Sequence, residues 1–211
     1  MLIKGTDLAQ AQHQGRFIFL DGFSRLFAPT TRSPGSNYKT INLSSHTSWS
    51  HQLAQYITKA LREVKGEPAL IIEGVDFLLA AGLDNITAPH LLSLLSLLSE
   101  VTLFRLVLTK YTSRTFISLF ADHNLIYSDH ETDLTRNQSV LATSLIHRAY
   151  AISSLRPLQT GMAKDVNGVI RMTRGGAWYD FPKDTKGSAD EEEWEMLYRI
   201  DDGKAKLFKY A

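Results

Sequence analysis

The stretch Pro68–Asp76, Pro-Ala-Leu-Ile-Ile-Glu-Gly-Val-Asp, constrains the fold of this chain more than any other. Four apolar residues, Ala69 to Ile72, run without alternation into a carboxylate, Glu73. A polar, amphipathic stretch precedes them and a leucine-rich one follows. An unbroken apolar run between helices reads as a strand buried on both faces of a parallel sheet. An acid at its C-terminal end lies on the edge where α/β sheets hold their ligands. In a nucleotide-binding sheet that acid organises Mg²⁺. Glu73 therefore carries two readings, a partly retained magnesium-side acid and a plain polar residue at a strand end.

The chain has 211 residues, enough for one domain, 1–211, with a sizeable core. At 44% hydrophobic and 21% charged residues it is globular in composition. No apolar run reaches the roughly 18 residues that a membrane span needs, so no membrane partner is expected. The first residues lack the apolar core of a signal peptide. With no cysteine, disulfides and cysteine-based metal or redox chemistry are excluded, which suits an intracellular setting. A net charge of +1 leaves a nucleic-acid partner open, because a local basic patch can hide in a balanced total.

In chain order, Thr6–Gln14 reads as a helix stopped by Gly15, and Arg16–Leu20 and Lys39–Leu43 read as strands. Ser48–Lys65 is the clearest helix, with Leu53, Tyr56, Ile57, Ala60, Leu61 and Val64 on one stripe. The central strand follows, then a short helical piece at Val75–Ala81. Thr87–Glu100 is a helix with Thr87 as N-cap and Pro89 in its first turn. Its leucines leave only a narrow lane of Ser93, Ser96 and Ser99 for solvent. Thr102–Thr109 reads as the next strand, Lys110–Asn137 as a long irregular loop, and Gln138–Ala149 as a helix. Four strands then follow at Tyr150–Leu158, Gly168–Thr173, Glu193–Ile200 and Lys204–Tyr210, with hairpin signals at Asn167-Gly168 and Asp202-Gly203. Residues 177–192, with Pro182, Gly187 and an acidic run, read as a flexible loop. The fold class is α/β, a mainly parallel sheet followed by an antiparallel meander, all in one sheet.

Neither Gly-x4-Gly-Lys-Ser/Thr nor Gly-x-Gly-x-x-Gly is present, so nothing cradles the phosphates of a nucleotide triphosphate, and no cofactor is expected. Asp122-His123 and Asp129-His130 offer metal-ligand types but read as solvated loop residues, and no metal site is expected. Lys110, Arg114 and Arg136 in the long loop are candidate phosphate contacts if a groove gathers them. Arg174 closes a strand just before Gly175-Gly176, where a guanidinium could reach a neighbouring subunit's phosphate; a structural salt bridge is the alternative.

The most specific signal is Leu155–Gly176. Pro157, Leu158, Thr160, Gly161, Ala163, Lys164, Asp165, Val166, Gly168, Arg174, Gly175 and Gly176 fit the pattern Pro-Leu-x-Thr-Gly-x-Ala-Lys-Asp-Val-x-Gly ending in Arg-Gly-Gly. This segment strongly resembles the Elongator complex protein 6 family, with Lys206–Tyr210 similar to the family's closing strand. The resemblance implies a RecA-like, P-loop-NTPase-like three-layer sandwich without the phosphate-binding loop. It implies a ring of six with Elongator proteins 4 and 5, two of each, that binds tRNA and supports wobble-uridine modification. It also implies ring-level nucleotide hydrolysis and a cytoplasmic location with a nuclear pool.

In such a fold a first strand, loop and helix precede the strand at Arg16–Leu20, whereas only fifteen residues precede it here. The resemblance therefore implies a short N-terminus with the first strand missing. Glu73 becomes a vestigial Walker B-like acid. Related rings use a basic pair as a trans-acting finger; Arg174 matches the arginine, while its companion position holds Met172. The long loop takes the place that lines the central opening of such rings, which makes Lys110, Arg114 and Arg136 candidate RNA contacts. The function expected is thus that of a non-catalytic ring subunit. The alternatives are an autonomous nucleotide-dependent ATPase using Glu73 and a degenerate RecA-like scaffold in DNA recombination.

Overall fold

The structure, a computed structural model, describes residues 2–3, 7–22, 38–41, 49–66, 69–81, 86–109, 114–121, 126, 132–158, 165–180, 193–202 and 204–209. Element order is β1 (Leu2–Ile3), α1 (Leu8–His13), β2 (Phe19–Asp21), β3 (Tyr38–Thr40), α2 (Trp49–Glu63), β4 (Ala69–Ile72), α3 (Phe77–Ala80) and α4 (Ala88–Thr109). It continues through β5 (Arg114–Ile117), α5 (Asp133–Arg148), β6 (Ala151–Arg156), β7 (Gly168–Arg174), a 3-10 helix (Gly176–Asp180), β8 (Trp194–Asp201) and β9 (Lys204–Phe208). The fold is mixed α/β, with parallel pairing in the first part and antiparallel pairing in the last. The chain divides into two compact units, Asp7–Ala142 and Met1–Thr6 with Thr143–Ala211.

In Asp7–Ala142 the core is built by two helices. On α2, Trp49, Leu53, Ala54, Ile57, Ala60 and Leu61 are buried at helical spacing, while Tyr56 of the expected stripe turns outward. This stripe lies against α4, which buries Ala88, Leu91, Leu94, Leu95 and Leu98. Each buried leucine or isoleucine among them contributes about 1.5–3 kcal/mol on burial. Among the described residues no helix is long and apolar enough to cross a membrane.

Helix α4 corrects one expectation outright. Thr102–Thr109 is not a strand but the last turns of this helix, which runs 22 residues from Ala88 to Thr109. Between Glu100 and Thr102 there is neither glycine nor proline to stop it, and a Leu/Val run suits helix or strand equally. The strand comes later, as β5, inside the segment expected to be an irregular loop. The serine lane is also corrected, since Ser96 and Ser99 are half-buried and donate to Leu92 O at 2.8 Å and Leu95 O at 2.9 Å. These bonds satisfy their hydroxyls within the helix. Thr87 stands at the N-cap position, where its carbonyl accepts from Leu91 N–H at 3.1 Å and its hydroxyl pairs with His90 Nδ1, while the first N–H of α4, on Ala88, donates to Asn137 Oδ1 of α5 at 2.8 Å.

Strand β4 forms where the apolar run is, and it pairs in parallel with β5, Ala69 opposite Arg114 through Ile72 opposite Ile117. Its expected burial on both faces is overturned. Exposure alternates along it, and Ile71 is 70% exposed beside Phe116 at 52%. Among the described residues β2–β3 and β4–β5 are separate two-stranded sheets, and the C-terminal strands form a third, so the single continuous sheet is corrected as well. The alternating exposure leaves β4 with one covered face, and among these residues no strand is bonded to its other edge.

In the other unit a five-stranded antiparallel sheet runs β1-β9-β8-β7-β6. All four C-terminal strands lie where alternation places them, and β1 adds to the edge through Leu2 opposite Lys206. The turn at Asp202 is the expected hairpin, with Asp202 at φ 46. Asn167-Gly168 is not a two-residue turn; it opens β7, where Asn167 N–H donates to Tyr198 O at 2.8 Å. Of the expected loop at 177–192, residues 177–180 belong to the 3-10 helix and 181–192 lie outside the described residues.

Replacing Leu91 with alanine should lower unfolding stability by about 3 kcal/mol, because Leu91 is fully buried between helices. Ser93→Ala, on the exposed side of α4, should change it by less than about 0.5 kcal/mol in the same denaturant titration.

Candidate functional site

Two places carry the chemistry that the sequence points to. The first is the C-terminal end of the β4–β5 pair. After Ile72 the chain passes through Glu73 and Gly74, the latter at φ +64, a conformation glycine adopts without strain. Gly74 N–H is held by Ser118 O at 3.2 Å, and a Cβ there would meet the Phe77 ring at 2.6 Å. The turn sends Glu73 into solvent and brings Asp76 inward. Asp76 is 7% exposed and Gln138, from α5, 2%.

Asp76 Oδ2 accepts from Phe120 N–H at 3.2 Å and from Gln138 Nε2 at 3.4 Å, while Gln138 Nε2 also donates to Phe120 O at 2.7 Å. Phe77 and Phe120 pack edge to face above this knot, with ring centroids 5.7 Å apart. Asp76 Oδ1 is buried and has no hydrogen-bond partner among the described residues. The acid that the fold gathers is therefore Asp76, not Glu73. A signal was present in the sequence: Asp76 follows Glu73 by three, just past a glycine able to reverse the chain. Gln138 carried none, since its role depends on a helix distant in sequence.

The second place surrounds Arg174, the last residue of β7. Its N–H donates to Glu193 Oε1 at 3.2 Å, and its guanidinium carbon stands 5.0 Å from the centroid of the Trp178 ring. Among the described residues no carboxylate pairs with this guanidinium. Behind it, Gly175 N–H donates to Tyr150 O at 3.0 Å and Ala177 N–H to Ala149 O at 3.1 Å. A Cβ on Gly175 would lie 2.0 Å from Ala149 O, and one on Gly176 would lie 2.3 Å from His147 O. The glycine pair thus lets β7 press its backbone against the chain leaving α5, which no residue with a side chain permits at these distances.

Other motif residues hold the sheet. A Cβ on Gly168 would meet Arg156 O at 2.5 Å. Asp165 pairs with Arg199 of β8 at 3.6 Å. Thr160, Gly161, Lys164 and Lys110 lie outside the described residues, as do the two Asp-His pairs. Arg114 opens β5, and Arg136, on α5 rather than in a loop, pairs with Asp133 at 3.2 Å. Among the described residues no group of three or more metal-ligating side chains assembles.

The model of the family described as Elongation complex protein 6 matches residues 3–202, nearly the whole chain. This chain belongs to the Elongator complex protein 6 family. With that family comes membership of the Elongator complex. A search of curated proteins finds no match. Among solved structures, the chain is similar to an uncharacterized protein from Pyrococcus horikoshii crystallised in complex with an unknown peptide. The two share 13% identity with a TM-score of 0.53, over 98% of this chain and 71% of the other. At that identity the likeness speaks for the fold alone.

Gly175→Ala in this Elongator subunit should cost about 2 kcal/mol or more, because its methyl must displace backbone rather than a side chain. Thermal unfolding of the purified chain checks this. Asp76→Ala should cost about 2 kcal/mol, since Phe120 N–H and Gln138 lose their acceptor. Gln138→Ala added to it should cost less than the two single changes summed, as a double-mutant cycle would show.

Proposed function

We propose that this Elongator subunit acts without a catalytic site of its own, in a ring of six with Elongator proteins 4 and 5 that binds tRNA and supports modification of wobble uridines. The observation that carries this reading is the family match over residues 3–202. The fold is read as RecA-like without its phosphate loop, working in the cytoplasm with a nuclear pool. The sequence supports the non-catalytic part, since no glycine-rich loop with a lysine is present to hold a triphosphate. The site supports it too. Asp76 directs one carboxylate oxygen to Phe120 and Gln138 of its own chain, and Glu73 stands in solvent. Ile71 and Phe116, side by side and exposed, suit a face that a partner covers.

In this reading Arg174 reaches a nucleotide phosphate bound by a neighbouring subunit, and Lys110, Arg114 and Arg136 serve the tRNA backbone. Glu73 is the trace of an ancestral magnesium-side acid. Coexpression with Elongator proteins 4 and 5 should give a single assembly, and its tRNA affinity should fall steeply with salt. Isolation of the chain as a monomer that never joins them would remove the reading. Within the assembly, Arg174→Ala should lower nucleotide hydrolysis at least about tenfold while leaving the ring's mass in light scattering unchanged. Unchanged hydrolysis would remove Arg174 from the mechanism. Micromolar binding of Mg-ATP to the isolated chain by calorimetry would return the assignment to an autonomous enzyme.

A further inference from the structure

An arginine that acts on a neighbour must be held outward, and the structure contains a support for Arg174 that the family pattern does not include. Trp178 lies four residues on, across the Gly175-Gly176 turn, with its ring 5.0 Å from the guanidinium carbon. Unlike Arg174, Trp178 is nearly buried, at 8% exposure. Tyr150 packs against it with ring centroids 4.6 Å apart and planes tilted 44°. Its backbone is anchored as well, since Trp178 N–H donates to Gly175 O at 3.2 Å. The ring is therefore a fixed platform rather than a second mobile side chain.

A guanidinium lying against an aromatic ring is attracted through its face, which leaves the N–H donors at its rim available for an oxyanion. Arg156 and Arg199 on the same sheet direct their rims to carboxylates, Glu195 at 3.0 Å for Arg156 and Asp201 at 3.4 Å for Arg199. Arg174 has no such pairing among the described residues. Glu193 sits close by, but its Oε1 takes the backbone N–H of Arg174. That contact orders the main chain and places an acceptor where it does not cover the guanidinium.

We propose that Trp178 is the positioning residue for Arg174, holding the guanidinium by its face so that its donors stay free for a phosphate supplied from outside this chain. The proposal rests on the reading of Arg174 as a trans-acting group. Trp178 touches no reacting atom; it acts through Arg174 by reducing the ordering that binding would otherwise require.

The test has two arms. In the assembled ring with Mg-ATP, Trp178→Leu should lower hydrolysis about two- to tenfold, and Trp178→Phe, which keeps a π face, should retain most of the rate. Added to Arg174→Ala, Trp178→Leu should change nothing further, whereas a merely structural tryptophan would add its own loss. In the full-length chain by NMR, the Arg174 side-chain Nε–H signal should be moved by the Trp178 ring current. The displacement should persist in Trp178→Phe and vanish in Trp178→Leu. Absence of that displacement in the unmodified chain, or additive losses in the double variant, overturns the positioning role. A displaced signal with hydrolysis indifferent to Arg174→Ala instead overturns the trans-acting reading and leaves the contact standing.

Discussion

The backbone contact between the end of α5 and the turn after β7 is the constraint on which the C-terminal unit depends. A helix ends with unsatisfied carbonyls that need donors. Here the chain just past α5 receives them from Gly175 and Ala177, at 3.0 Å to Tyr150 O and 3.1 Å to Ala149 O. That approach is possible only without side chains at 175 and 176. It sets where β7 stops, and so which residue stands at its end. It also starts the 3-10 helix that carries Trp178 under Arg174. The Arg-Gly-Gly motif thus combines a packing requirement with the display of one cation.

An analogous economy of donors organises Asp7–Ala142. One carboxylate oxygen, Asp76 Oδ2, joins the turn after β4, the chain after β5 and helix α5 through Phe120 and Gln138. A buried carboxylate is tolerated when donors surround it, and losing one partner leaves the others unpaired. Two of three segments meeting here are distant in sequence, so the contact ties them at the edge where related sheets bind ligands. In this chain the acid at that edge is directed inward and serves the fold. Its other oxygen, Oδ1, remains without a partner among the described residues.

Legibility from sequence followed the range of the interactions involved. The four C-terminal strands, α1, α2 and the short α3 were readable because alternation, helical stripes and turn residues are local. The family was readable for the same reason, since its motif is a contiguous segment. Thr102–Thr109 was not, because Leu and Val satisfy helix and strand alike and no glycine or proline marks a boundary before them. Thr87 at the start of α4 was readable, but the acceptor for the Ala88 N–H, Asn137 on another helix, was not. Ile71 was expected inside because an unbroken apolar run reads as doubly buried, yet it faces outward beside Phe116.

The sequence alone determined that this is an α/β chain without a phosphate-binding loop, with an antiparallel C-terminal meander and a glycine pair after Arg174. Those features depend on residue types and short spacings. Only the tertiary structure decided that the inward acid is Asp76 rather than Glu73, because the left-handed turn at Gly74 and the donor on Gln138 set which side chain is turned in. It also decided that Arg174 rests on Trp178, with no carboxylate paired to its guanidinium among the described residues. Burial and ring contact are properties of neighbours in space, which residue order does not specify.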